Sequence, residues 1–137
     1  MLKLVIAYGA TAVVFLTMDA CWLTLMNARL YRPVLGPLLS DKIDIGAALA
    51  FYAIYIAGLV GFAVRPALAR GEWQTAALSG ALLGLFAYAT YDLTNQATLR
   101  LWSLKITLAD LAWGVTVSAV ASAGGFFAAQ ALGRGGR

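Results

Sequence analysis

Four stretches of this chain are nearly free of charge, and each is long enough to cross a lipid bilayer: Leu4 to Met26, Ile45 to Val64, Trp73 to Leu99 and Thr107 to Leu132. A spanning helix needs about 20 mostly apolar residues. Inside hydrocarbon every backbone polar group must be bonded within a helix or a closed barrel, and no strand-length alternation appears here, so the stretches are expected to be helices. Composition points the same way, with 62% of residues apolar and only 12% charged, where soluble domains carry roughly 25% charged residues. The expectation is an all-α polytopic integral membrane protein, one domain of four transmembrane helices in an antiparallel bundle, at about residues 4–27, 44–65, 72–99 and 107–132.

Lys3 followed by an apolar run raises the alternative of a cleaved signal peptide. The run is longer than the usual 7–15 or so residues of a signal core, and no small-x-small site closes it. Met18 and Asp19 stand before Cys21 where a lipoprotein site would carry aliphatic and small residues. The first helix is therefore expected to be retained. One cysteine permits no internal disulfide, and without histidine there is no His-ligated haem, copper or zinc. Any metal would have to use oxygen ligands; no metal and no cofactor is expected.

The connections are marked by helix breakers. Tyr31, Arg32, Pro33, Gly36, Pro37, Ser40, Asp41, Lys42 and Asp44 form the first, expected to lie along the membrane interface. Arg65-Pro66 is expected to close the second helix, since proline lacks a backbone donor and disfavours a helical residue before it. Gly71 precedes the third helix. The segment from Arg100 to Ile106 is short enough to make the third and fourth helices a hairpin. Stripes of small residues at helical spacing propose close contacts: Ala53, Ala57 and Gly61; Ala76, Gly80 and Gly84; Gly114, Ser118 and Ser122.

Three aspartates interrupt the apolar stretches, Asp19, Asp92 and Asp110. A carboxylate at membrane depth costs several kcal/mol unless it faces the bundle interior, a cavity or a partner, which makes each a candidate functional group. Counting crossings places the end of helix one, the start of helix two, the end of helix three and the start of helix four on one side. All three aspartates lie in those halves, with Trp22, Tyr52, Tyr55, Tyr88, Tyr91, Asn95, Trp102 and Trp113. The opposite half is mostly aliphatic and small, Tyr8, Trp73 and Gln130 excepted.

Asp110 has a structural explanation available: Thr107-x-x-Asp110 matches a capping box, and Ile106 with Leu111 matches a hydrophobic staple. Asp92 has none, because it lies near a helix C-terminus, where the helix dipole disfavours an anion. Its surroundings, residues 91–98, read as too polar for lipid. Tyr88, Asp92 and Asn95 share one face at i, i+4 and i+7, expected to point inward. Asp19 needs a partner. Arg29, Arg32, Lys42, Arg100 or Lys105 snorkelling inward would serve, as would a shared proton between Asp19 and Asp92. Trp102 is read as an interfacial anchor, whereas Trp22 and Trp113 each follow an aspartate by three residues, on the same helical face. The candidate ligand-binding or proton-linked residues are thus Asp19, Trp22, Tyr88, Asp92, Asn95, Asp110 and Trp113, with catalytic residues unassigned.

The chain resembles the small bacterial membrane proteins grouped as domain of unknown function 2177. The resemblance spans essentially the whole chain and rests on Asp19-Ala-Cys-Trp22-Leu23, on Tyr91-Asp92-Leu93-Thr94-Asn95-Gln96-Ala97-Thr98-Leu99 and on Asp110-Leu-Ala-Trp113-Gly114. It implies a four-helix inner-membrane protein and brings no established activity.

With cytoplasmic termini, Lys3, Arg65, Arg70, Arg134 and Arg137 face inward while Arg29, Arg32, Lys42, Arg100 and Lys105 face outward, so the positive-inside count is tied. The basic N-terminus, the Arg134 to Arg137 tail and the acidic Asp41 and Asp44 favour cytoplasmic termini. Three functions from different classes fit. The first is binding or transport of a small cationic or amphipathic ligand, with or without proton coupling, because carboxylates and aromatic faces suit cations. The plan is similar to that of small four-helix multidrug exporters, which act as dimers through a first-helix acid, although no exporter motif is present. The second is an accessory subunit of a larger membrane complex, and the third a membrane enzyme acting on lipid, with Asp92 and Asp19 as acid and base and Tyr91 or Asn95 orienting the substrate. Membrane lipid is an expected partner, a homo-oligomer or larger complex is compatible, and nucleic acid is excluded because the net charge of +4 is scattered over loops and tails.

Overall fold

The structure is a computed structural model that describes residues 1–133. Within them the chain forms helices α1 (Leu2–Leu38), α2 (Ile45–Arg70), α3 (Trp73–Thr98) and α4 (Leu104–Leu132), each long and apolar enough to cross a membrane, and no strand. The basic tail used in the orientation argument lies outside the described residues.

Two expected boundaries are wrong, for one physical reason. Helix α1 was expected to end near residue 27 and α2 at Arg65-Pro66, yet both run on, to Leu38 and Arg70. A proline inside a helix lacks a donor and collides with the carbonyl four residues back. In both helices a π turn immediately precedes the Arg-Pro pair, at Asn27–Tyr31 and Val60–Val64, with the Arg32 N–H reaching Asn27 O and the Arg65 N–H reaching Val60 O. The wider turn takes up the misfit and lets the helix continue. Helix α1 then tightens into a 3₁₀ turn at Gly36–Leu38 and stops. Gly71, at φ +76°, ends α2 in the left-handed conformation that glycine adopts without strain.

The start of α4 is also corrected. Ser103, not Thr107, is its N-cap, with the Ile106 N–H donating to Ser103 Oγ at 3.3 Å. Thr107 lies inside the helix, where its hydroxyl accepts from Trp102 Nε1 at 3.0 Å. Asp110 is therefore not part of a capping box, and that explanation of its carboxylate is removed.

Helix α4 packs along both α3 and α1. The α3 contact is backbone-close: a Cβ on Gly80 would meet Ser118 O at 2.6 Å, and one on Gly84 would meet Gly114 O at 2.2 Å. Two of the three small stripes thus form the α3–α4 seam. The third does not, since Ala53, Ala57 and Gly61 of α2 are exposed, and nothing lies within 4 Å of a Cβ on Gly61. Helix α2 packs against α3 along Val60–Arg70 and diverges from it over Ile45–Leu59. The outer surface carries Val13, Ile54, Phe62, Leu78, Phe86, Leu108 and Phe127, a girdle suited to lipid and not to water.

Apolar layers bracket the polar end. Phe15, Leu59, Val117 and Ala121 form the layer toward the bundle centre. Leu30, Leu35 and Ile106, with Met26, Tyr31 and Trp102 against them, close the end of the bundle. The first part of the segment expected along the interface thus continues α1 as far as Leu38, with Leu30 and Leu35 packed against Ile106 at the start of α4.

Candidate functional site

Between those layers the three aspartates come together. Asp19 is buried on α1, where its Oδ2 accepts from the Tyr52 hydroxyl at 2.6 Å and its Oδ1 from Trp113 Nε1 at 3.2 Å. Asp110 Oδ1 accepts from the Tyr31 hydroxyl at 2.5 Å, and Tyr31 in turn accepts from Trp22 Nε1 at 2.9 Å. The Trp22 and Trp113 rings stack with centroids 4.5 Å apart and planes 6° from parallel. The two acids are thus joined through one aromatic pair, and all donors to them are neutral. No lysine or arginine pairs with either carboxyl among the described residues. The snorkelling cation expected for Asp19 is replaced by a tyrosine and a tryptophan.

Asp92 is different in kind. Its residue is wholly buried, and neither carboxyl oxygen has a hydrogen-bond donor among the described residues. The acid beside it is Asp110, whose carboxyl borders the same cavity. The paired acids are therefore Asp92 and Asp110, and not Asp19 and Asp92. Two carboxyl groups can bond to each other only through a proton carried by one of them.

The pair lies at the floor of a cavity of about 340 Å³ lined by Phe51, Tyr55, Ala87, Tyr88, Tyr91, Asp92 and Asp110. Its shape follows from the fold. Tyr88 lies flat enough on α4 that a Cβ at Gly114 would touch its ring at 2.3 Å, so the glycine makes room for one wall. Tyr55 is held by a 2.8 Å hydrogen bond to Ser118 Oγ, which fixes the inner wall. Phe51 and Tyr91, 47% and 61% exposed, stand at the mouth, where α2 diverges from α3. No group of three or more histidine, cysteine or acidic side chains converges to hold a metal among the described residues.

The polar run at the end of α3 is only partly inward. Thr90, Thr94 and Thr98 face outward, their hydroxyls donating to carbonyls one turn back, as in Thr90 to Phe86 O at 2.7 Å and Thr98 to Thr94 O at 2.8 Å. Self-satisfied hydroxyls tolerate lipid, so the expectation that residues 91–98 are too polar for lipid does not extend to Thr94 and Thr98. Asn95 is half-buried beside Tyr91 and does not line the cavity.

A family model described as a predicted membrane protein, DUF2177, matches residues 4–127. The chain belongs to the DUF2177 family. No curated protein and no solved structure matches it. Among the residues singled out from sequence, this DUF2177 protein links Asp19, Trp22, Asp110 and Trp113 in one network and sets Tyr88 and Asp92 beside it, with Asn95 apart. Sequence reasoning gave Tyr31, Phe51 and Ala87 no part in the site and did not single out Tyr52 or Tyr55; it used Tyr91 only as a group that would orient substrate in the lipid-enzyme alternative. Parity had placed the last three in the polar half. Tyr31 carried no signal of its own, because its role depends on the helix continuing past residue 27.

Proposed function

We propose that this protein binds a small organic cation or cationic amphiphile in the cavity above Asp92 and Asp110, as a binding or transport protein. The observation that supports it is Asp92, a buried carboxyl with no donor on either oxygen, at the floor of an aromatic cavity. A purely structural acid at this depth would be satisfied by neighbours, as Asp19 is by Tyr52 and Trp113. An entering cation supplies the missing countercharge, and the faces of Phe51, Tyr55, Tyr88 and Tyr91 favour it further through their quadrupoles. A volume of about 340 Å³ sits at the small end of ligand pockets, which run from roughly 300 to 1,000 Å³. When the cavity is empty the Asp92–Asp110 pair holds together through one proton. A cation displaces that proton, which makes binding proton-linked.

In this reading the protein lies in a bacterial inner membrane with cytoplasmic termini, so the cavity belongs to the periplasmic half; an active periplasm-dependent reporter fused to the C-terminus would reverse that orientation. The function is tested by equilibrium binding of tetrapropylammonium to the protein in nanodiscs. Saturable binding is expected for the wild type, with at least a tenfold loss in Asp92→Asn while helix content and melting temperature are unchanged. Equal affinity in the two proteins, or none in either, would refute the assignment.

A further inference from the structure

We infer that the ligand is a membrane-dissolved amphiphile, which enters sideways between α2 and α3 with its cationic head at Asp92 and Asp110 and its apolar tail left in the lipid. This rests on the cation-binding reading above and adds a route and a substrate class to it.

The first argument is the position of the mouth. Helices α2 and α3 are 26 residues each, so each is roughly 39 Å long at about 1.5 Å per residue. Hydrocarbon is about 30 Å thick, so a centred helix projects roughly 4–5 Å at each end. Tyr91 stands seven residues before Thr98 and Phe51 six after Ile45, roughly 9–10 Å along the axis. The mouth therefore opens a few ångströms inside the hydrocarbon, just below the headgroups. That is the depth at which the first methylenes of an amphiphile lie.

The second argument is what borders the opening. Phe51, Ile54, Phe86 and Tyr91 are exposed on the outer surface at the mouth and beside it, and no charged side chain lines the cavity except the two aspartates at its floor. The end of the bundle, by contrast, is closed by Leu30, Leu35, Ile106 and Trp102. Access through the side is framed by apolar and aromatic groups, while access along the axis is blocked by packed ones.

The third argument is charge. Two carboxyls without a cation reject a phosphate beside the head, because like charges in a low-dielectric site repel strongly. The class that fits is an amine or quaternary ammonium attached directly to an apolar chain, not a phospholipid.

The test uses hexadecyltrimethylammonium at low mole fraction in nanodiscs carrying the full chain, in competition with tetrapropylammonium. Its chain is far longer than the cavity, so only a site open to lipid can take it. The expected result is displacement of tetrapropylammonium at a concentration at least tenfold below that of tetramethylammonium, and loss of this displacement in Asp92→Asn. A nitroxide near the chain end of the bound ligand should be relaxed by oxygen and not by a water-soluble nickel chelate, a readout that needs no variant. If tetrapropylammonium binds and the long-chain cation fails to displace it, or binds with its chain reached by the nickel chelate, lateral entry is overturned and cation binding stands. If neither cation binds, both are overturned.

Discussion

Gly84→Ala is expected to destabilise the protein by about 2 kcal/mol, although alanine is the better helix former. Its Cβ would sit 2.2 Å from Gly114 O and 2.7 Å from Ser118 Oγ. Favourable contact distances are about 3.5 Å or more, so α3 and α4 would have to separate by about 1 Å. The obstructing atom is a backbone oxygen inside another helix, which cannot rotate away. Overpacking of this kind costs about 1–3 kcal/mol and occasionally more, and the helix-propensity gain of about 1 kcal/mol offsets only part of the upper end. The effect reaches the cavity too, because Tyr88 lies one turn along α3 with its ring against Gly114. Gly61→Ala is the control: it lies in the π turn of α2, with nothing within 4 Å of the added methyl, and should be neutral or stabilising by up to about 1 kcal/mol. Equilibrium unfolding in bicelles by titration with sodium dodecyl sulfate measures both. Equal stability of Gly84→Ala and wild type, or equal damage at Gly61, would show that the α3–α4 seam is not as close as described.

Two further outcomes are expected. Tyr31→Phe removes the donor to Asp110 and the acceptor of Trp22 Nε1; losing buried partners costs about 1–3 kcal/mol, so the same titration should show a loss near the middle of that range, and no loss would mean that Tyr31 merely rests against the bundle end. For tetrapropylammonium, binding displaces the proton of the Asp92–Asp110 pair, so affinity should rise with pH, by up to about tenfold per unit when one proton is released; a flat profile across the range where the protein stays folded would remove the proton linkage.

Much of the architecture was already written in the local chemistry of the chain. Uninterrupted apolar length dictates helices in lipid, because the backbone has no other way to satisfy itself there. Antiparallel connectivity then dictates which halves lie together, and on that ground alone Asp19, Asp92 and Asp110 had to share one side. Pairing was beyond reach, because it depends on how each helix is rotated and tilted about its neighbours, and small residues occur on every face of this chain. Only packing decided that Gly80 and Gly84 meet α4 while Ala53, Ala57 and Gly61 face outward, and that Asp92 meets Asp110 and not Asp19. The helix ends misled for a related reason. A proline reads as a stop in sequence, yet a π turn before it keeps the helix going, and that continuation carries Tyr31 back over Asp110 to close the end of the bundle. The cavity has the same origin: it exists because α2 and α3 diverge over Ile45–Leu59, a property of two helices together that neither segment carries alone.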